Sequence, residues 1–295
     1  MKDILKKLIQ QLPDKIFLQI KYFYIFKKKL NLKNPKTFNE KLQWLKLYNQ
    51  NPFYTLLADK ILVKDYIVQT LGEEYVIPTL GIYCHFDDID FEELPNSFVM
   101  KTNHDSGSII IVKNKEELNI QEAREKLQKS LERDYSIFGR EWPYKNIERK
   151  IIIEEFMTDE SNHELKDYKI YCFNGVPKFV HVDYDRFINH KRNIYDSNWN
   201  QQEFIYAFPF DKNKIIEKPA ELSEMIELAR KLSKDIPFLR CDFYIVNHKI
   251  LFGELTFYPE SGFGKFYPEQ YDLEFGKDIT LPEKQDGNKR KTFSE

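Results

Sequence analysis

Residues 239–257 read LRCDFYIVNHKILFGELTF, and the reading of this stretch decides the fold. Leu239–Val246 and Ile250–Phe257 are rich in β-branched and aromatic residues and flank Asn247-His248-Lys249, the pattern of a β-hairpin. A three-residue turn centred on His248 opposes Asp242 to Glu254 and Arg240 to Thr256. Side chains alternate between the two faces of a strand, so all four share one face. Directly opposed residues have Cβ atoms about 4.5–5.5 Å apart. The expectation is two carboxylates, a guanidinium and a hydroxyl side by side. Opposed like charges repel unless a cation lies between them. Carboxylates on rigid strands suit Mg²⁺, which binds oxygen and keeps substrate phosphates as further ligands. The plainer alternative is that Arg240 neutralises the pair on a solvated sheet face. A slip of one residue in register would undo the whole alignment.

Working outward from this hairpin, Lys169–Phe173 and Pro177–Val182 flank Asn174-Gly175, a strong two-residue turn signal. Ile151-Ile152-Ile153 is a buried strand running into Glu154-Glu155-Phe156-Met157, and residues 219–234 form an amphipathic helix. Earlier, Phe98–Thr102 and Ser108–Lys113 flank the small polar loop Asn103–Gly107 as a further hairpin. An amphipathic helix is expected over 119–137 and a short strand at Tyr75–Pro78. The opening third is helical. Thr37-x-x-Glu40 is a capping box for a helix through Trp44 and Tyr48, and another helix runs from Leu56 to near Gly72. Its charges, Asp59 and Lys60 among them, read as a solvated face. Helices, a hairpin, a helix and then strands make an α+β chain rather than a doubly wound sheet. The tail after Pro282 is polar.

Length and composition set the bounds. The 295 residues suggest about two domains, at roughly 150 residues each. With 42% hydrophobic residues the chain can bury a real core, and a net charge of -2 disfavours a nucleic-acid binder. Cys84, Cys172 and Cys241 are too scattered for a disulfide framework or a cysteine-based metal site, so they read as reduced thiols of a cytoplasmic protein. No targeting or membrane-spanning segment is visible. Residues 1–30 carry eight lysines among apolar and aromatic residues. They read either as a helix packed on the body with its lysines in water, or as a helix lying on an anionic membrane surface.

Several pieces are consistent with phosphate chemistry. Lys101 sits where a strand enters a loop of small residues, whose backbone N–H groups can cradle phosphate. Ser106-Gly107-Ser108 lacks the spacing of a P-loop. His104 either touches phosphate or is a turn residue. Glu154-Glu155-Phe156 can offer a carboxylate and main-chain groups to a purine edge.

At these residues the chain resembles the TupA-like ATP-grasp family, linked to teichuronopeptide and surface-polysaccharide biosynthesis. The stretches that carry the resemblance are NPKTFNEKLQWLKLY, ADKILVKDY, LPNSFVMKTNHDSGSIIIV, IIIEEFM, DYKIYCFNGVPKFVHVDYDRF and RCDFYIVNHKILFGELTFYPESGFGKF, from about residue 34 to 275. The resemblance implies two α+β subdomains gripping ATP: a helical region at 1–74, a central subdomain at 75–149, a second subdomain at 150–281 and a polar tail at 282–295. It implies Lys101 on the phosphates and the loop from Asn103, with His104, Ser106, Gly107 and Ser108, as their cover. Glu154, Glu155 and the Phe156 main chain would read adenine, and Lys169 would lie near the phosphates. Asp242 and Glu254 would hold Mg²⁺, with Thr256 where the family pattern Glu-x-Asn has asparagine. Arg240 is assigned to the transferred phosphoryl group and Arg186 to the acceptor.

The activity implied is amide formation through an acylphosphate, between a carboxylate and an amine on a surface-polysaccharide precursor. A uronic acid joined to an amino acid or amino alcohol and an amino acid joined to an amino sugar are both open. A lipid-linked precursor would bring the chain to the inner face of the cytoplasmic membrane. The rivals are a kinase that stops at phosphoryl transfer, a glycosyltransferase using a sugar nucleotide, and a nucleotide-binding module without catalysis.

Overall fold

The computed structural model describes residues 10–158, 165–184 and 189–284. The sequence places helices first, and four follow in order: α1 (Asp14–Phe26), α2 (Phe38–Tyr48), α3 (Phe53–Ala58) and α4 (Leu62–Thr70). The capping box of α2 forms as read. Thr37 Oγ1 accepts from the Glu40 N–H at 3.2 Å, and the Glu40 carboxylate accepts from the Thr37 N–H at 3.2 Å. The single helix expected from Leu56 to Gly72 is broken instead. Asp59 Oδ1 accepts the N–H groups of Ile61 at 2.8 Å and Leu62 at 3.4 Å, so the chain stops and restarts there. Tyr75–Pro78 is not a strand either. Glu73–Tyr75 is a 3₁₀ turn, and β1 (Thr79–Tyr83) begins only past Pro78, which has no N–H for a ladder.

A central four-stranded antiparallel sheet has the order β1-β4-β2-β3, with β2 at Phe98–Thr102, β3 at Ile110–Val112 and β4 at Ile151–Glu155. The expected hairpin is the β2–β3 pair. The helix expected over 119–137 is shorter, α5 (Ile120–Leu131), with a brief α6 (Ser136–Gly139) after it. Ile151 and Ile153 of β4 pack with Phe98, Met100, Val112, Ala123 and Leu127 in a core of their own. The central sheet therefore takes in Ile151–Glu155, beyond the boundary at 149 drawn from sequence. The reason is register: β4 fills the gap between β1 and β2, a non-local pairing.

The second sheet has six strands in the order β11-β10-β5-β6-β7-β8. They are β5 (Asp167–Phe173), β6 (Val176–Tyr184), β7 (Lys191–Asp196), β8 (Gln201–Gln202), β10 (Phe238–Val246) and β11 (Lys249–Thr256). The short β9 (Ile205–Tyr206) and β12 (Phe266–Tyr267) pair apart from it, with α7 (Leu222–Leu232) before β10 and α8 (Gln270–Lys277) after β12. One large core joins this sheet to the opening helices through Leu18, Leu42, Leu57 and Ile67. The helical region is thus built into the core of the large sheet.

The deciding hairpin differs from its expected form in two ways that cancel. The turn has two residues, not three: Asn247 and His248 have φ of 49° and 62°, and Val246 pairs with Lys249. This left-handed pair is the geometry that matches strand twist in tight hairpins. Gly253 is then an extra residue in β11, a β-bulge opposite the Asp242–Phe243 step. The bulge restores the expected opposition of Asp242 to Glu254 and Arg240 to Thr256.

Candidate active site

On the large sheet the pairing register sets side chains in rows. Glu254, Asp242, Lys169 and His181 stand on adjacent strands β11, β10, β5 and β6; Thr256, Arg240 and Tyr171 form the next row. Arg240 forks onto Asp242, its Nε to Oδ1 at 2.7 Å and an Nη to Oδ2 at 2.6 Å, and the same Nη reaches Glu254 Oε1 at 2.8 Å. Such bidentate charged bonds are the strong ones. The Thr256 hydroxyl donates to Glu254 Oε1 at 3.2 Å. Lys169 pairs with Asp167, lies 3.1 Å from Asp242 and 3.7 Å from Asp183. Burial favours the neutral amine of Lys169, but Asp167 and Asp242 outweigh it and hold its pKa above the ordinary value. Burial also presses on Glu254, yet Arg240, Lys60 and Lys169 together bring its carboxyl down to about 2. Asp242 is raised by its burial, which Arg240 and Lys169 offset in part.

A second pair extends this face. Arg192 of β7 donates from Nε and an Nη to Asp183 at 2.5 and 2.8 Å and lies 3.6 Å from Glu260. His181 stacks on Tyr171 at 3.8 Å, and burial followed by the charge of Arg192 holds it neutral.

The central sheet carries a basic cluster. Glu154 lies between two lysines, Lys64 at 2.6 Å and Lys101 at 2.5 Å. Burial alone would raise the Glu154 carboxyl, and the two lysines hold it below its usual range. Asp59 and Lys60, read from sequence as a solvated face, belong to this region instead. Asp59 is buried and accepts from Asn103 Nδ2 at 2.9 Å, while Lys60 Nζ donates to the Asp105 carbonyl at 2.5 Å. The charge of Lys60 acts on Glu254 of one sheet and on Glu154 and Lys101 of the other. Lys60 therefore feels the charges of both clusters.

The loop after β2 is anchored rather than free along its length. The Asp105 carboxylate accepts from Thr102, Ser108 and Ser130 hydroxyls at 2.7, 2.6 and 2.6 Å. Ser108 is buried, with its hydroxyl spent inside the loop. Ser106 and Gly107 are the exposed tip, and a Cβ on Gly107, at φ +97°, would meet open space. His104 is buried, with Nε2 3.3 Å from the Arg133 carbonyl. Glu155 is exposed at the end of β4 and Phe156 follows it half-buried. Arg186 lies outside the described residues.

The structure thus gathers Arg240, Asp242, Glu254, Thr256 and Lys169 on one sheet, and Lys101 with Glu154 on the other. Sequence reading assigned no role to Lys60, Lys64, Asp183 or Arg192. The only hint was local: Lys60 and Lys64 are four apart in sequence, though the chain breaks at Lys60 between α3 and α4. Among the described residues no three His, Cys, Asp or Glu side chains converge as a metal cage. The donors that are present, two opposed carboxylates and a hydroxyl, fit a hard ion that takes its remaining oxygens from a phosphate.

A family model described as TupA-like ATPgrasp matches residues 40–280. The chain belongs to this family. Its α+β architecture, with two antiparallel sheets and flanking helices, is an ATP-grasp fold. Among solved structures, D-alanine–D-alanine ligase from Helicobacter pylori is 16% identical, with 82% of this chain and 69% of that one covered and a TM-score of 0.43. The ligase of the same name from Bacillus anthracis, complexed with ATP, is 18% identical, covering 68% of this chain and 55% of that one at a TM-score of 0.39. A RimK domain ATP-grasp protein from Sphaerobacter thermophilus is 12% identical, covering 79% and 70% at a TM-score of 0.41. The chain spans little more than half the length of the Bacillus anthracis enzyme. No curated protein matches the chain. No helix among the described residues is long and apolar enough to cross a membrane.

Proposed function

We propose that the chain is an ATP-dependent carboxylate–amine ligase. The observation that carries this is the presence of an Arg240–Asp242–Glu254 constellation on one sheet and a Lys64–Lys101–Glu154 cluster at the other, with Lys60 feeling the charges of both. The first suits a transferring phosphoryl group and the second a polyphosphate tail. ATP is gripped between a central body, ending after Glu155, and the body of the large sheet. Lys101 and Lys64 leave Glu154 in part to meet the phosphates, and Glu154 with the Phe156 main chain turns to the adenine edge. Asp242 and Glu254 would hold Mg²⁺, with Thr256 on the same ion or on a water bound to it. When bound, the ion neutralises charge on the phosphate oxygens.

A carboxylate oxygen of the first substrate attacks the γ-phosphorus, and the bond to the bridging oxygen breaks, releasing ADP. Arg240 stabilises charge spread over the transferring oxygens, the main task in phosphoryl transfer. The amine then attacks the acyl carbon, phosphate leaves, and the amide remains after loss of a proton. The exposed tip Ser106-Gly107 closes over the phosphates and limits hydrolysis of the acylphosphate. Arg186 serves the acceptor. The substrates are a carboxylate-bearing sugar or polysaccharide precursor and an amine donor, at the cytoplasmic face of the membrane.

Thermal unfolding with and without Mg-ATP, on the wild type and Glu254→Ala, tests the nucleotide site. Ligand at 100 times its Kd adds about 2.7 kcal/mol. A rise that needs Mg²⁺ and shrinks in the variant supports the reading. ADP release that then requires both a carboxylate and an amine supports ligation; release with one acceptor alone means a kinase. A response to a sugar nucleotide and none to ATP would sink the ligase and promote glycosyl transfer.

A further inference from the structure

Helix α1 is apolar on both sides. Phe17, Leu18 and Tyr22 are buried against the body. On the opposite side Ile16, Ile20 and Phe23 stand above one another at helical spacing, with Tyr24 beside them. They are 45%, 47%, 55% and 74% exposed. Exposed apolar side chains are common singly, but a contiguous stripe along one helix face marks a contact. The stripe ends in Lys27-Lys28-Lys29, all exposed, and Lys15 is exposed near its start. Lys28 pairs with Glu269, and Asp14 lies 3.3 Å from Arg140. The Lys27 ammonium lies 4.9 Å over the Tyr24 ring, so charge and aromatic surface are presented together.

We propose that this face of α1 docks on an anionic phospholipid bilayer. Cations at a helix C-terminus also complement the helix dipole, but the dipole does not account for an apolar stripe facing water. A symmetric contact with a second copy of the chain would hide the stripe but would not by itself give the exposed Lys27 and Lys29 an anionic partner. A bilayer surface answers both features: apolar side chains enter the interface and lysines meet the headgroups. The docked helix also has a defined relation to the candidate site. Its inner side lies on Phe263, with Lys21 Nζ 4.5 Å over that ring and the Phe26 ring 6.5 Å from it. Phe263 closes the turn Pro259–Gly262 that follows β11. Docking through α1 would therefore hold the loop after the Glu254 strand near the lipid surface, where a lipid-linked precursor presents its sugar. This last step alone rests on the ligase reading.

The test is co-sedimentation of the full chain with vesicles of phosphatidylcholine alone and with about one-third phosphatidylglycerol. Binding to the anionic vesicles, weakened by salt, is expected. Lys27→Ala with Lys29→Ala should lower the partition coefficient about 25-fold, at roughly five-fold per lysine. Ile20→Ser with Phe23→Ser should lower it as well. Both variants alter exposed side chains, so their unfolding temperature should match the wild type and certify the fold. Equal binding to both vesicles, no binding to either, or binding indifferent to the serine variant overturns the proposal. So does a concentration-dependent dimer that the serine variant dissolves, since the stripe would then be a self-contact. No nucleotide is present in this assay, so its outcome is separate from that of the Mg-ATP test.

Discussion

Lys60 is the residue whose position says most about the candidate site, because its charge acts on both sheets. A charged hydrogen bond is worth about 1.5–3 kcal/mol. Lys60→Met should therefore weaken Mg-ATP about ten- to a hundred-fold, read by isothermal titration calorimetry on protein whose fold circular dichroism has checked. Unchanged affinity would restrict Lys60 to holding the Asp105 carbonyl. Asp105 itself is a structural anchor. Burial pushes its carboxyl up, but the Ser108, Ser130 and Thr102 hydroxyls overcome this and hold it below the ordinary value. A group whose folded pKa is depressed contributes stability above its unfolded pKa and loses it as pH falls through the folded one. Asp105→Asn should cost about 2 kcal/mol at pH 7. That gap should close as the pH drops below about 4, the unfolded value. A gap that stays constant in acid would show that the loop does not depend on the ionised carboxylate.

At the scale of elements, the hairpin of β10 and β11 shows what the sequence makes legible and what it hides. Strict alternation put Asp242, Glu254, Arg240 and Thr256 on one face, and the structure agrees. The route to that face differs from simple alternation: a tighter turn at Asn247-His248 and an extra residue at Gly253 offset one another. Glycine inside a strand is a bulge signal, and this one has a packing reason, since a Cβ there would come within 3.0 Å of Tyr244 and 3.1 Å of the Asp242 carbonyl. Deleting Gly253 should make the ladder regular from the turn onward and leave Glu254 opposite Asp242 and Thr256 opposite Arg240, on the same face. The chain should keep its circular dichroism and its Mg²⁺-dependent response to ATP. A deletion variant that loses the response would show that the site needs the local bend of the bulge as well as the pairing. Other pairings were illegible because they are non-local. The family resemblance gives Lys169 a place near the phosphates, and only the docking of β5 on β10 sets it opposite Asp242. Helical periodicity runs straight through Asp59 and Lys60, so the break there becomes evident only when Asn103, far along the chain, is seen to claim the Asp59 carboxylate.

For the whole molecule the decisive fact is that the described residues form two cores of unequal size. The large one joins the opening helices to the six-stranded sheet, and the small one holds Phe98, Met100, Val112 and Ile153 between the central sheet and α5. Order of elements made the α+β class legible, whereas the sharing of one core by α1 to α4 and the strands of the large sheet is a tertiary fact with no local trace. Proteins open in units that follow such divisions, and the unit with fewer buried apolar contacts opens at lower cost. Amides of β2 and β4 should therefore exchange hydrogen faster than those of β5 and β10 in the free chain. If ATP is gripped between Lys101 and Lys64 on one side and Arg240 on the other, closure links the small core to the large one. Mg-ATP at 100 times its Kd should then slow exchange in β2 and β4 by about a hundred-fold, the exchange equivalent of about 2.7 kcal/mol. The change in β5 and β10 should be no larger. In Lys101→Ala the slowing should disappear from the central sheet. Protection confined to β10 and β11 would mean that the nucleotide rests on the large sheet alone, and the two-sided grip would have to be given up.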